Sequence, residues 1–132
     1  MRPLAVLWVV ACSSAPPPSF GAQPIQTMTS AACGADFTVF AAPDPIVRGA
    51  SSLKLVATDS ASSAPKLGLG ITIVPFMPSM GHGSATTPAV VDQGDGVYLV
   101  NDVVMAMPGS WQLRTTIDGA CSDTIVIDVE VQ

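Results

Sequence analysis

The sequence predicts an all-β fold, an immunoglobulin-like β-sandwich of about seven antiparallel strands. Three observations predict it. The 132 residues include 12 prolines and 11 glycines, and only 11% are charged. Glu and Lys, which favour helices, are scarce, while Val, Ile and Thr abound. Short runs with a period of two follow one another at regular turn signals, which is the pattern of a sandwich rather than of a helical domain.

The runs come in order. Asp36 to Ala41 is the first, closed by the breaker Pro43-Asp44-Pro45. Ser52 to Thr58 is the second, with Leu53, Leu55 and Ala57 on one face, and a polar loop from Asp59 to Lys66 follows it. The third, Leu69 to Pro75, sets Leu69, Ile71 and Ile73 on one side, and the fourth, Pro88 to Asp92, is short. Gln93-Gly94-Asp95-Gly96 reads as a turn, because glycine admits positive φ. Val97 to Met105 is the fifth run, and Pro108-Gly109 turns the chain into the sixth, Ser110 to Ile117. There Trp111, Leu113, Thr115 and Ile117 alternate with Gln112, Arg114 and Thr116. After Asp118-Gly119 the seventh, Asp123 to Val131, alternates Ile125, Ile127, Val129 and Val131 with polar residues.

The N-terminal region divides in two. Residues 1–11 read as a lipoprotein-type export signal, with Arg2 before the apolar stretch Leu4 to Val10. Val9-Val10-Ala11-Cys12 resembles a bacterial lipobox, in which Cys12 carries lipid and becomes the new N-terminus. The competing reading is ordinary cleavage near Phe20-Gly21-Ala22. Residues 12–32, rich in Ser and Pro, are expected to be a disordered tether, and residues 33–132 the folded domain. No later segment is long and apolar enough to span a bilayer as a helix.

Charge and cysteines narrow the environment. Net charge is −5, and losing Arg2 with the signal leaves four cations against ten carboxylates. No basic patch is available for phosphates, so a nucleic-acid partner is not expected. With Cys12 lipidated, Cys33 and Cys121 remain, and an exported protein meets an oxidising compartment where a disulfide is the default. It closes a loop of about 90 residues, worth on the order of 4–5 kcal/mol by chain entropy. The alternative, a thiolate metal site, lacks a second ligand beside either cysteine.

Chemistry concentrates at Met77-Pro78-Ser79-Met80-Gly81-His82-Gly83, which holds the only histidine. Met105 and Met107 precede the later turn. Thioether and imidazole are soft donors suited to Cu(I). In an up-and-down order, connections separated by two strands lie at the same end. The two methionine groups therefore fall at one end and Cys33 and Cys121 at the other. Met77, Met80, His82 and Met107 are the candidate Cu(I) ligands. Met105 is the methionine best explained as core, and Trp111 a candidate cover through cation–π attraction. His82 would ligate as the neutral imidazole, so affinity should fall as it protonates. Catalysis is not expected: there is no nucleophile elbow, phosphate loop or calcium loop.

Three blocks carry a family resemblance: Phe76-Met77-Pro78-Ser79-Met80-Gly81-His82-Gly83-Ser84, Gly94-Asp95-Gly96-Val97-Tyr98 and Met107-Pro108-Gly109-Ser110-Trp111-Gln112-Leu113. In this order and spacing the chain resembles the YtkA-like domain, over about Val47 to Val129. The resemblance implies an immunoglobulin-like sandwich and an envelope location, with no established catalytic activity. Similar Met/His arrangements in periplasmic copper-handling sandwiches and in proteins linked to cytochrome oxidase assembly make copper the implied ion. The expectation is a periplasm-facing lipoprotein, held to the membrane by lipid, that binds or delivers Cu(I), with an envelope copper or oxidase-assembly protein as partner. The competing expectation is a metal-free interaction or structural module of the envelope, with Phe76 and the exposed methionines as its contact surface.

Overall fold

A computed structural model describes residues 17–132, so the export signal and Cys12 lie outside the described residues. The described chain has nine strands: β1 (Gln26–Ser30), β2 (Ala35–Ala42), β3 (Gly49–Asp59), β4 (Leu69–Met77), β5 (His82–Gly83), β6 (Ala89–Gly94), β7 (Val97–Met105), β8 (Gly109–Gly119) and β9 (Asp123–Val131). They form two antiparallel sheets, β1-β2-β3-β7-β6 and β5-β4-β8-β9. Without β1 and β5, the seven strands in chain order divide as first, second, fifth and fourth against third, sixth and seventh. That is the division of an immunoglobulin constant-type sandwich. Among the described residues no helix is long and apolar enough to cross a membrane.

All seven expected strands are present. Their inward positions build the core: Phe37 and Val39 from β2, Leu53 and Leu55 from β3, Ile73 from β4, Tyr98 and Val100 from β7, Trp111, Leu113 and Ile117 from β8, and Ile127 from β9. Each large side chain removed from water contributes roughly 1.5–3 kcal/mol before the entropy of ordering is subtracted. The buried Tyr98 hydroxyl donates to the Lys66 carbonyl (3.0 Å) and accepts the Leu69 amide (3.3 Å), tying down the loop before β4. Burial pushes its phenol pKa up. Between β6 and β7, Asp95 and Gly96 take φ of 55° and 75°. Two consecutive positive φ values make a type I′ turn, whose twist matches the strands it joins.

The tether is shorter than expected. Gln26–Ser30 forms β1, paired with β2 from Gln26 opposite Val39 to Ser30 opposite Ala35. Its partners explain why a polar segment becomes a strand. The Asp128 amide on β9 donates to Gln26 Oε1 at 2.8 Å. Ser30 donates to the Asp123 carboxylate, and its hydroxyl also accepts the Cys33 amide at 3.2 Å. β1 thus laces the two sheets along their open side, giving the outer edge of β9 a hydrogen-bond partner at Asp128. The Ser30 hydroxyl, with the Thr124 amide, holds the Asp123 carboxyl below the usual range.

Cys33 and Cys121 are disulfide-bonded, Cα to Cα 5.3 Å, across 88 residues. They join the β1–β2 turn to the β8–β9 turn at one end of the sandwich. The opposite end collects the β2–β3 connection, the Met77–His82 turn and the β7–β8 turn. The strand count thus places both features as the sequence predicts.

Candidate functional site

Met77 is the last residue of β4, not a loop residue as the sequence suggests. Val74 and Phe76 face outward, so Met77 faces in, and it is 5% exposed. The chain then doubles back. The amides of Met80 (3.2 Å) and Gly81 (3.0 Å) both donate to the Met77 carbonyl. Gly81 takes φ of 65°, which a side chain would resist. The turn delivers His82 into β5, directly opposite Met77. Directly opposed residues of an antiparallel pair share a face, so His82 stands over the same inner side as Met77.

There it meets Trp111. The two rings lie 6.1 Å apart at 69°, an edge-on contact. Trp111 is 1% exposed and His82 is exposed, so the indole is the floor beneath the imidazole rather than a cover over it. The Trp111 Nε1–H donates to the Met107 carbonyl at 2.9 Å, which ties the β7–β8 turn to the same floor. Met107 is half-buried against the core. Gly109 of β8, at φ 126°, lies against the tip of Met77: a Cβ there would lie 2.8 Å from Met77 Cε.

His82 Nδ1 lies 3.3 Å from the Gly83 carbonyl. The carbonyl can accept from Nδ1 in the tautomer that carries its proton there.

The remaining candidates separate. Met80 sits in the turn, 53% exposed, so the two methionines of the motif occupy opposite environments. Met105 is fully buried in β7, opposite Gly49, as a core residue. Phe76 lies under the Arg114 guanidinium, 3.9 Å from ring centroid to Cζ, so it offers no bare apolar face. Behind Trp111 a groove of about 310 Å³ is lined by Pro78, Ser110, Gln112, Asp128, Val129 and Glu130. Among the described residues no three of His, Cys, Asp and Glu are grouped to hold a metal ion. A metal reading therefore rests on thioethers and one imidazole. Gly109 is the site residue that sequence reasoning missed. Its role depends on one contact between neighbouring strands of one sheet, and only its place beside Pro108 hinted at anything, namely a turn.

Fold and site together define the class: an immunoglobulin-like β-sandwich domain with an indole-floored Met/His end and a disulfide at the other. A comparison with curated proteins finds no match. The chain belongs to the YtkA-like family, whose model matches residues 31–116. That span begins upstream of Val47 and stops within β8, and it contains all three blocks that carry the resemblance.

Proposed function

We propose that this domain is a non-catalytic Cu(I)-binding module of the cell envelope, anchored through lipid on Cys12. Met77, Met107 and His82 hold the ion above Trp111, and Met80 is the exposed thioether through which it enters and leaves. The observation that carries this reading is His82 seated against Trp111 and opposite Met77. A single imidazole, a buried thioether and an aromatic ring then share one end of the sandwich.

The donor chemistry fits. Cu(I) is soft and takes thioether sulfur readily. In an oxidising compartment thiolates are lost to disulfides, as Cys33 and Cys121 are. Thioethers survive there and carry no proton to release. The indole adds cation–π attraction on the inner side of the site. The bound ion supplies soft-ligand coordination and no bond-making step. This chain's residues position it, exclude water from its inner side and return it to a partner, an envelope copper or oxidase-assembly protein. Met105 stays in the core and takes no part.

The test is an anaerobic titration of the purified chain with Cu(I) against a competing chelator. One equivalent should bind. Met77→Leu with His82→Ala should weaken binding at least tenfold, and Met80→Leu should weaken it less. Unchanged binding in the double variant overturns the site. A folded wild-type chain that binds no Cu(I) favours the metal-free interaction module.

A further inference from the structure

The segment before β1 is fixed to the domain, and it shows where the chain departs. The Ile25 amide donates to the Val39 carbonyl (2.8 Å) and the Gly21 amide to the Ala41 carbonyl (3.1 Å). Traced backwards from β1, residues 25 to 21 therefore run beside β2 toward its Ala42 end. Gly21 arrives against the β2–β3 connection, where a Cβ on it would fall 2.5 Å from Asp44 Oδ2. Phe20 is held by Lys54, whose Nζ lies 5.3 Å from its ring and 4.6 Å from that of Phe40. The chain thus leaves the domain at the end that carries Met77, His82 and Trp111, opposite the disulfide.

We infer that in the membrane-attached protein this end faces the bilayer, so that a partner lying in that membrane reaches the site. The inference rests on the lipid-anchor reading. Eight residue steps separate Cys12 from Phe20, and at about 3.6 Å each they reach at most about 29 Å. The Gly21 amide meets Ala41, six residue steps from Ala35, so the exit lies roughly 20 Å from the disulfide end at 3.3 Å per residue. Turning the disulfide end to the membrane would stretch the tether past the ~14–17 Å span of a flexible chain of that length, at an entropic cost that the opposite orientation avoids. The short anchor is therefore least stretched with the site end down or the domain lying flat. The exit beside Asp44, at the site end itself, favours the first.

Energy transfer tests the orientation. With residues 1–11 removed, Trp111 is the only tryptophan, because Trp8 goes with the signal. Cys12 is then the only thiol outside the disulfide. The chain from Cys12 onward is coupled to a maleimide lipid in phosphatidylcholine vesicles bearing a dansyl headgroup acceptor. Transfer from Trp111 should exceed several-fold that from a reporter at the far turn, Trp111→Phe with Ala120→Trp. If Trp111→Phe fails to fold, Ala120→Trp alone should lower the average transfer below that of the unaltered chain. A long Gly/Ser insertion after Ser19 should bring the two ends level. Equal transfer from both ends without the insertion, or more from the Ala120→Trp reporter, overturns the orientation. Because the lipid is attached chemically, this outcome does not depend on natural lipidation. The mass of the N-terminal peptide of the envelope-extracted protein tests that separately, and an unmodified Cys12 overturns the anchor.

Discussion

Gly109→Ala probes the contact on which the site's shape depends. Two costs add. An alanine at φ 126° is strained by roughly 1–3 kcal/mol. Its methyl would also fall 2.8 Å from Met77 Cε, inside van der Waals contact. Overpacking a filled core costs about 1–3 kcal/mol, and methionine's flexibility places this case near 1. The sum is about 2–4 kcal/mol, or ~8–16 °C in Tm for a domain of this size. A double-mutant cycle separates the parts. Met77→Ala alone removes a buried side chain and costs about 2–5 kcal/mol. In that background Gly109→Ala keeps its backbone strain and loses its clash, so the two changes should couple by about 1 kcal/mol. Urea denaturation followed by Trp111 emission measures all four chains, with unchanged slope as the sign that the denatured states are comparable. Costs that add to within about 0.3–0.5 kcal/mol would show that Gly109 and Met77 do not touch, and would remove the stated reason for glycine there.

The other predictions concern the rest of the sandwich. Replacing Cys33 and Cys121 together by Ser should cost about 3–5 kcal/mol, since the bridge closes a loop across 88 residues, while circular dichroism keeps its β signature. An equal Tm for reduced and oxidised chains would contradict it. Asp59 is held down to about 2 by the amides of Ser62 and Ala61, then by Lys66, and Asp123 is held low by Ser30 and the Thr124 amide. A carboxyl depressed in the folded state stabilises above its unfolded pKa and loses that contribution as acid titrates the folded group. Stability should therefore decline from about pH 4 downward. Asp59→Asn and Asp123→Asn should each flatten that decline, and an unchanged acid profile in both would refute the assignment. Ser51 is 4% exposed, and its hydroxyl has no hydrogen-bond partner. Ser51→Ala should be neutral or stabilising by up to ~1 kcal/mol in the same denaturation assay, and a marked loss would mean the hydroxyl is satisfied.

Most of the sandwich was legible because its signal is local. Trp111-Gln112-Leu113-Arg114-Thr115 alternates in the sequence as it alternates between core and solvent. β1 was not legible, because Gln26-Thr27-Met28-Thr29-Ser30 carries little apolar periodicity. Its pairing is secured by partners about a hundred residues away, Asp123 and Asp128. β5 was not legible because two residues carry no period, and His82 is placed by the turn before it. The ends of the sandwich followed from counting strands. The difference between Met77 and Met80 did not, since three residues of spacing say nothing about which side chain enters the core. Extending β4 by two residues past Pro75 decides it. Trp111 was legible as part of the site, but its depth was not, because burial at a sheet end depends on what the neighbouring turn lays over it.

The most direct measurement is X-ray absorption at the copper edge on the chain loaded anaerobically with one equivalent of Cu(I). A shell with two sulfur scatterers and one imidazole nitrogen, losing the nitrogen in His82→Ala and a sulfur in Met77→Leu, is the predicted result. A shell of nitrogen and oxygen alone, or one indifferent to both substitutions, would contradict a copper site at this end of the sandwich.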